Sequence, residues 1–445
     1  MKYDSYKDTK IPWIGQIPSH WGQCRLKSYN TLKGRIGWNG LRSEEFLTEG
    51  YAYLVTGQDF SGKDIQWDKC YQIEKSRYDE DPFIQLKNGD LLITKDGTIG
   101  KIATVNNLDK PACLNSGIFV MKQTKDIFEQ GYLFWMLSSD LLKEFNNYTS
   151  SGTTILHLYQ NVFENMPILI PPKAEQKAIS DYLEKKCADI DKAIATQQKR
   201  IDLFKEQEQV IIVSAVLNGL TSKVEMLDSK IPYIGKIPAH WTVMPLKYTA
   251  QGKGCCFIDG DWIESKDIST DGIKYLTTGN VGPNKYKEQG SGYITEEKFR
   301  ELDCKDVYPG DLLISRLNEP IARTCIVPEL DTRIVTAVDN VIFRPNPKVL
   351  DRYFAAYYLN NAKFTEHANI IARGATMHRI SRTMLGHLKI ALPPIEEQKQ
   401  IVSYLDNQTA PLESAISNAE RKIELLRSYK KSLIAEVVTG KRKVI

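Results

Sequence analysis

The chain carries one long stretch with a helical pattern, which reads PPKAEQKAISDYLEKKCADIDKAIATQQKRIDLFKEQEQVIIVSAVLNG from Pro171 to Gly219. The last segment of the chain, Pro393 to Gly440, repeats its pattern. In both copies apolar residues recur at alternating spacings of four and three, which is typical of a coiled-coil seam. The seam residues are Leu183, Ile190, Ile194, Ile201 and Phe204 in the first copy and Leu405, Leu412, Ile416, Ile423 and Leu426 in the second. Because such a stripe is narrow, each copy is predicted to pair with another helix.

Both stretches have clear predicted ends. A Pro-Pro pair precedes each helix, and Glu175 and Glu397 near the start favour the positive end of the helix dipole. Gly219 and Gly440 are typical helix stops. At ~1.5 Å per residue each helix would span roughly 70 Å, which predicts a spacer. Two ordinary core helices of a large domain are the alternative, which we disfavour because core helices carry a wider apolar face.

The repeat extends over the whole chain. The opening motif IPWIGQIPSHW at 11–21 returns as IPYIGKIPAHW at 231–241. Tyr53-Leu-Val-Thr-Gly matches Tyr275-Leu-Thr-Thr-Gly, and Gly89-Asp-Leu-Leu-Ile matches Gly310-Asp-Leu-Leu-Ile, at offsets of 222 and 221 residues. Self-similarity at this period indicates one unit written twice, each unit being a globular part followed by the long helix.

Each globular part mixes strand and helix patterns. Short β-branched runs bounded by Gly, Asn and Asp predict strands, and a helical period predicts one helix at 128–145 and its counterpart at 351–367. The predicted strands are 51–56, 90–94, 99–105, 117–121 and 166–170 in the first part, and 273–278, 311–315, 322–327, 341–344 and 388–392 in the second. A short helical turn is also predicted at 158–164.

We therefore predict an α+β fold with an internal pseudo-two-fold repeat. Two similar mixed α/β domains, residues 1–170 and 223–392, are separated by two long helices, 171–222 and 393–445, that form an antiparallel coiled coil. One register of that coil puts Ile190 near Ile423 and Ile194 near Ala419, with a one-heptad slip as its rival. The seam pattern alone leaves the choice between these registers open.

Composition places few limits on function. With 445 residues the chain can form two or three domains. Neither a charged-then-apolar leader at Met1 nor a long apolar run is present, so we expect a cytoplasmic protein. The eight cysteines lack C-x-x-C and zinc-ligand spacing. Net charge is +4, so a nucleic-acid reader would have to concentrate its basic residues locally.

Signatures of catalysis are incomplete. Gly57 to Lys63 has P-loop spacing, but Asp64 stands where a Ser or Thr should hold magnesium. The Glu-Gln-Lys triplets at 175–177 and 397–399 lie at helix starts without a second carboxylate to share a metal. His20 and His240 belong to the opening motifs and are interpreted as structural. With no nucleophile, metal or methyl-donor motif in evidence, we predict a non-catalytic chain without a cofactor or metal of its own.

The two copies differ most in two loops. The first follows Gly-Asp-Leu-Leu-Ile and covers 94–101 in one copy and 315–323 in the other, and the second covers 151–157 and 373–379. A conserved frame with changing loops is typical of a recognition surface, and Lys, Arg, Thr, Asn and His side chains can bond phosphates or base edges. The candidate DNA-binding residues are Lys95, Thr98, Lys101, Thr153, Thr154, His157, Arg316, Asn318, Arg323, Arg373, Thr376, His378, Arg379 and Arg382. Any one of them could also belong to a solvated loop that binds nothing.

With the opening motif, the P-P-x-x-E-Q-K helix start and the alternation of domain and helix in view, the chain resembles the DNA-specificity (S) subunit of type I restriction-modification systems. The resemblance covers the full length. It implies that the two domains, 1–170 and 223–392, each read one half of a split, asymmetric site on double-stranded DNA. It also implies that the helices pair as a spacer.

The resemblance further implies partners. Two modification (M) subunits would carry S-adenosylmethionine, and restriction (R) subunits would use ATP with Mg²⁺. Two other classes stay open on the sequence alone. One is a coiled-coil scaffold that binds only proteins, and the other is a subunit of a fused or standalone DNA methyltransferase or nuclease.

Overall fold

The computed structural model describes residues 2–35, 40–149, 158–221, 223–289, 292–374 and 377–444. The chain forms two compact units, one made of residues 1–197 and 421–445 and the other of residues 198–420. Each unit holds one globular domain together with half of each long helix. The boundaries of the units therefore fall inside the helices.

The first unit contains a mixed α/β domain. Its strands are β1 Tyr6–Asp8, β2 Gln16–Pro18, β3 Gly22–Arg25, β4 Asn30–Gly34, β5 Ala52–Val55, β6 Phe60–Ser61, β7 Asp64–Ile65, β8 Tyr71–Ile73, β9 Leu91–Thr94, β10 Ile102–Thr104, β11 Ala112–Leu114, β12 Ile118–Gln123 and β13 Pro167–Ile170. Its helices are α1 Lys75–Asp79, α2 Gln130–Leu137, α3 Asp140–Thr149 and α4 Gln160–Phe163, followed by the long α5 Lys173–Asn218. An antiparallel sheet of order β10-β9-β12-β4 lies beside a second sheet, β11-β5-β8, in which β11 and β5 are parallel.

The second unit repeats this architecture. Its strands are β14 Met226–Asp228, β15 Lys236–Pro238, β16 Thr242–Pro245, β17 Cys256–Asp259, β18 Ile273–Leu276, β19 Val281–Gly282, β20 Lys285–Tyr286, β21 Gly292–Ile294, β22 Leu312–Ser315, β23 Thr324–Ile326, β24 Ile334–Thr336, β25 Asn340–Arg344 and β26 Lys389–Leu392. Its helices are α6 Glu296–Glu301, α7 Arg352–Leu359, α8 Ala362–Ile371 and α9 Arg382–His387, followed by the long α10 Ile395–Val438. Sheets β23-β22-β25-β17 and β24-β18-β21 have the same order as their counterparts, which confirms the predicted duplication and the α+β class.

The predicted helices at 128–145 and 351–367 are each two helices. α2 ends before Ser138, and α7 ends before Asn360. In the second domain, the Asn360 side-chain amide donates to carbonyls of Ala356 and Thr324, while Asn361 Oδ1 accepts from the Phe364 amide at 3.0 Å. Asparagine side chains therefore end one helix and begin the next. The periodicity misses this break because apolar residues continue across it.

One of the sequence matches shifts by one residue in the structure. The Thr56 amide donates to Asp59 Oδ2 at 2.7 Å, and the Thr277 amide donates to Asn280 Oδ1 at 2.8 Å in the same kind of turn. Thr56 therefore corresponds to Thr277, at an offset of 221 rather than 222 residues. Sequence alignment pairs Thr56-Gly57 with Thr278-Gly279, because the second copy has two consecutive threonines at 277 and 278.

The long helices pair with opposite directions inside each unit. In the first unit Ile179, Leu183 and Cys187 of α5 share one core cluster with Val437 and Val438 near the end of α10. In the second unit, the core cluster contains residues near the end of α5 and the start of α10, namely Ile212, Ala215, Val216, Leu217, Ile401 and Leu405. The start of one helix therefore packs against the end of the other, which confirms the predicted antiparallel coiled coil.

Of the two registers that the seam pattern leaves open, the coil has the one that is slipped by one heptad. Lys430 Nζ lies 2.7 Å from Asp191 in the first unit. In the second unit burial, followed by the charge of the nearby Glu413, raises the pKa of Glu208. Both contacts match a one-heptad slip from the register that joins Ile190 to Ile423. That register is therefore wrong.

The predicted seam residues fall into two groups. Leu183, Ile190, Ile201, Leu405 and Ile423 are buried, and Ile194, Phe204, Leu412, Ile416 and Leu426 are half-buried. The seam also buries the polar side chains of Gln197 and Thr409. Polar residues in a coiled-coil seam lower its stability and help to fix its register.

Candidate nucleic-acid interface

The opening motif of each domain is bonded to the start of a long helix. In the first unit Glu175 accepts hydrogen bonds from Trp21 Nε1 at 2.8 Å and Tyr3 Oη at 3.1 Å, and its Oε1 lies 2.6 Å from His20 Nε2. Burial, followed by the charge of Glu175, raises the pKa of Tyr3, so the phenol stays a donor. In the second unit Glu397 receives His240 and Trp241 in the same way, at 2.8 and 3.2 Å.

The glutamine that follows each glutamate bonds the start of the long helix to the segment that precedes α2 or α7. Gln176 donates through Nε2 to the carbonyls of Pro171 and Ile127, and its Oε1 accepts from the amide of Glu129 just before α2. Gln398 makes the equivalent bonds in the second unit. The Glu-Gln pair of the repeated helix start is therefore structural. The two histidines of the opening motifs belong to the same frame.

In the second domain the two variable loops meet along a short backbone ladder. The Ile380 amide donates to the Arg316 carbonyl at 3.0 Å, and the Asn318 amide donates to the His378 carbonyl at 3.1 Å. Leu317 and Arg379 form an isolated antiparallel bridge at this place. Two segments some sixty residues apart in sequence therefore present one joint surface, here called the second joint.

Arginines and aspartates alternate around the second joint. Arg316 NH2 lies 3.1 Å from Asp259 Oδ1, and Arg382 Nε lies 3.3 Å from the other oxygen of the same carboxylate. Arg379 NH2 lies 2.7 Å from Asp339 Oδ1. Arg379 and Arg382 keep exposed side-chain fractions of 45% and 43%, respectively, so both can still reach a ligand.

Two of the candidate contact residues are structural. Arg316 is only 5% exposed and donates to the carbonyls of Ile380 and Val338. Burial lowers the pKa of this guanidinium, although Asp259 and Asp339 act in the opposite direction. Arg323 donates to carbonyls of the same loop and of the strand beside it, at Val281, Leu317, Asn318, Pro320 and Thr278. We therefore assign both arginines to the support of the joint.

The remaining candidates of the second domain differ in exposure and pairing. Arg373 is exposed, and its backbone exchanges two hydrogen bonds with that of Arg379. His378 is exposed and lies 3.3 Å from Glu319, through Nδ1. Asn318 adopts a positive φ of 61° at the turn of its loop. Polar side chains on such a tight turn can approach a nucleic acid closely.

The first domain has the equivalent joint. The Leu158 amide donates to the Lys95 carbonyl at 3.2 Å, at the positions that correspond to Ile380 and Arg316. The Lys95 ammonium group lies 5.0 Å from the ring centroid of Phe119. The Lys101 amide donates to Thr94 Oγ1 at 2.9 Å, which closes the first variable loop on itself. The duplication thus preserves the joint while the side chains around it change.

A groove lies beside this first joint. Its volume is about 670 Å³, and its lining residues are Ser43, Phe46, Thr56, Gly57, Gln58, Tyr71, Thr94, Asp96, Gly97, Thr98, Lys101 and Asn115. Two predicted residues, Thr98 and Lys101, are among them. The rings of Phe46 and Tyr71 lie 5.3 Å apart at one side. Hydroxyl, amide and ammonium groups beside an aromatic pair can bond phosphates and base edges.

Four predicted contact residues lie outside the described part of the chain. These are Thr153, Thr154 and His157 in the first domain and Thr376 in the second. Their assignment to the interface stays a prediction.

The described residues contain no group of three or more His, Cys, Asp or Glu side chains that could hold a metal ion. All eight cysteines are free thiols. Burial raises the pKa of Cys113 to about 11 and that of Cys325 to about 12, so these two thiols stay protonated near neutral pH. Within the same described ranges, no helix is both long enough and apolar enough to cross a membrane.

The family model for the type I restriction modification DNA specificity domain matches the chain twice, at residues 41–202 and 255–425. These two ranges cover both variable loops and most of one long helix in each copy. The chain belongs to the type I restriction-modification specificity family.

Two curated relatives in the specificity family match along most of their length. The MjaVIII specificity subunit of Methanocaldococcus jannaschii is 25% identical over 437 residues, which cover 96% of this chain and 94% of the relative. The EcoKI specificity subunit of Escherichia coli K12 is 20% identical over 440 residues, covering 96% and 90%. A solved chain from a study of complex assembly and conformational transition of the type I R-M system aligns with a TM-score of 0.69 at 17% identity, covering 95% of this chain and 98% of that chain. This last likeness confirms the fold.

The predicted contact residues do not include the two aspartates of the second joint, Asp259 and Asp339. Asp259 lies at the end of β17 and Asp339 precedes β25, so both belong to the frame rather than to the variable loops. Strand pairing makes Gly34 and Gly117 their counterparts in the first domain. Aligning the two copies by strand register, instead of by matching letters, would have shown both as charged substitutions.

Proposed function

We propose that this chain is the non-catalytic DNA-reading subunit of a type I restriction-modification complex. The domain of residues 1–170 reads one half of a bipartite, asymmetric site on double-stranded DNA, and the domain of residues 223–392 reads the other half. The helical segments 171–222 and 393–445 set the distance between the two readers. The complex protects the cytoplasm against foreign DNA.

The observation that carries this proposal is a backbone contact to the first variable loop, which is present in both domains. In each, the amide of the residue that follows the second variable loop (Leu158 or Ile380) donates to a carbonyl of the first variable loop (Lys95 or Arg316). In each domain the same Glu-Gln pair, Glu175-Gln176 or Glu397-Gln398, bonds the opening motif and the start of α2 or α7 to the long helix. A constant frame with different side chains at one joint fits two readers with different half-sites.

The helices also support a proposal about partners. Leu203 of α5 and Leu425 of α10 stand at corresponding positions of the repeat, and their exposed fractions are 62% and 61%. Val210 and Tyr429 extend the apolar surface along each helix, with exposed fractions of 63% and 48%. Two exposed leucines at equivalent positions, each with a further apolar side chain on its helix, fit two copies of one partner, which we propose to be the modification subunit. The relatives are named as specificity subunits of type I restriction enzymes.

The chemistry then belongs to the partner subunits. Modification subunits would bind S-adenosylmethionine and methylate adenine, and restriction subunits would use ATP and Mg²⁺. This chain would contribute the position on DNA at which they act.

The test is the set of methylated sites in a host that expresses this chain with its modification subunit. Sequencing of modified bases should return one bipartite motif with a fixed gap. A matched control exchanges residues 315–323 and 373–382 for those of the first domain, and should change one half-site only. Absence of a bipartite motif with the intact pair of subunits would contradict the proposal.

Docking is tested separately. Leu203→Asp and Leu425→Asp should each remove one modification subunit from the complex, and the double variant should remove both, as measured by light scattering after gel filtration. Lys199→Asp, on the exposed surface of α5, controls for added charge. Retention of two subunits by the double variant would exclude these faces as docking sites.

A further inference from the structure

The second joint combines features that a simple phosphate-binding patch does not need. Three of its arginines, Arg316, Arg379 and Arg382, are paired with two aspartates, Asp259 and Asp339. The carboxylates reduce the summed charge of these five groups from +3 to +1. Because phosphate binding depends on cation charge and is weakened by nearby anions, this arrangement is a poor design for a backbone anchor.

The same carboxylates restrict where the exposed arginines can point. Asp339 holds Arg379 at 2.7 Å, and the Arg379 backbone is fixed by bridges to Leu317 on one side and Arg373 on the other. Asp259 is fixed in turn by the buried Arg316 and holds Arg382 at 3.3 Å. Arg382 also donates to the Phe257 carbonyl at 3.4 Å. Each exposed guanidinium group therefore has an acidic neighbour before any ligand binds.

The first domain keeps two of these contacts and lacks the two aspartates. Gln160 donates to the Leu32 carbonyl at 3.0 Å, which matches the contact of Arg382 with Phe257. Gly34 and Gly117 occupy the positions of the two aspartates. Among its described residues, the first domain therefore has this joint without an aspartate-arginine network, so we infer that the network serves something specific to the second domain.

We propose that Asp339 and Asp259 are positioning residues for Arg379 and Arg382, and that Arg379 contacts a guanine in the half-site of the second domain. The inference rests on the proposed function, because it assumes that this domain reads DNA. A guanidinium oriented by a carboxylate beside one of its nitrogens can present its remaining N–H groups as a fork, and O6 and N7 of guanine are the acceptor pair that such a fork fits in the major groove. Lysine could not replace it, because an ammonium group offers no planar fork.

The experiment uses the full chain in complex with its modification subunit, on the sequence that the wild type methylates. Each guanine of the second half-site is replaced in turn by 7-deazaguanine, which lacks the N7 acceptor. Wild-type affinity should fall roughly tenfold at one position. Asp339→Asn should weaken binding to the unmodified site about as much and lose sensitivity to that 7-deazaguanine. Its binding to random duplex should stay equal or tighten, because one negative charge has been removed.

Two further variants separate positioning from folding. Arg379→Lys keeps the charge and should lose the same guanine contact, with unchanged binding to random duplex. Asp306→Asn removes an aspartate that pairs with Arg333 away from the variable loops, and should leave all affinities unchanged.

Three results would be decisive against one or the other proposal. Unchanged guanine sensitivity in Asp339→Asn and Arg379→Lys overturns the positioning role. Equal weakening of the Asp339→Asn complex on both half-sites and on random duplex also overturns it, because that pattern indicates lost structure. A wild-type complex without any sequence preference would instead overturn the proposed function.

Discussion

Lys430 Nζ lies 2.7 Å from both carboxylate oxygens of Asp191, so the end of α10 lies beside the first half of α5. Cysteines placed at 191 and 430 should therefore be joined within one chain by a short bis-maleimide. Cysteines at 190 and 423, which the rejected register would bring together, should not be joined. Mobility in denaturing gels measures this, in a background where the partly exposed Cys24, Cys255 and Cys256 are serine. Efficient joining of 190 to 423 would restore the rejected register.

Glu208→Gln should stabilise the protein at neutral pH. Burial, with the charge of Glu413, raises the pKa of Glu208, so the folded state disfavours its charged form. Stability that depends on this group is greatest where the carboxyl is protonated and is lost as the pH rises through the raised pKa. The gain should be about 0.5 kcal/mol near pH 7, the scale of like-charge helix pairs, and should vanish near pH 4. Thermal unfolding at both pH values measures it.

Glu206→Gln is the control, because Glu206 is exposed on the same turn of α5. It should leave the stability almost unchanged at both pH values. A gain of the same size in the two variants would show that the net charge of the helix matters, rather than the site.

Gly440→Ala should destabilise the first unit more than Gly15→Ala does. Both glycines have positive φ, 71° and 72°, so alanine costs about 1 kcal/mol at either. An added Cβ at 440 would lie only 2.3 Å from Pro18 Cδ, whereas no atom lies within 4 Å of one at 15. Overpacking should add roughly 1 to 3 kcal/mol at 440. Equal shifts of the melting temperature in the two variants would show that Pro18 can move away from the added Cβ without loss of stability.

Insertion of one heptad into the middle of both long helices should lengthen the recognised gap. Seven residues add roughly 10 Å to each helix and keep its seam in phase. At ~3.4 Å per base pair, the half-sites should move apart by about three base pairs with their sequences unchanged. Methylated-site sequencing measures the gap. An insertion of seven residues in α5 alone is the control and should abolish methylation, because it takes the two seams out of register.

The repeat explains why much of the fold could be predicted. Each motif occurs twice, so one copy supports the prediction made from the other. The seam of α5 can be predicted from local heptad spacing alone. The register could not be predicted, because a seven-residue slip leaves an apolar seam apolar, and the contact of Asp191 with Lys430 is visible only in three dimensions. The helix break at Asn360 was missed for a similar reason, since its partner Thr324 comes from a strand far away in sequence.

The site was predicted only as far as its loops. Sequence variation located both variable segments, but it did not show that they join at Arg316 and Ile380. The charge of an arginine does not reveal its surroundings, so the sequence cannot distinguish the buried Arg316 and the carbonyl-bound Arg323 from the exposed arginines. Asp259 and Asp339 were overlooked because an acidic side chain is not expected on a surface that meets DNA.

The make-up of the first unit has a consequence for synthesis on the ribosome. Its core includes Leu433, Ile434, Val437 and Val438, which are made after the whole second unit, and Tyr6 Oη donates to the Gly440 carbonyl at 3.3 Å. The second unit is continuous from 198 to 420 and can close as soon as it has emerged. Of the two domains, the one that is translated earlier is thus completed later. A chain truncated before residue 433 would leave that core incomplete. We expect it to be degraded by proteases before it can assemble with partner subunits.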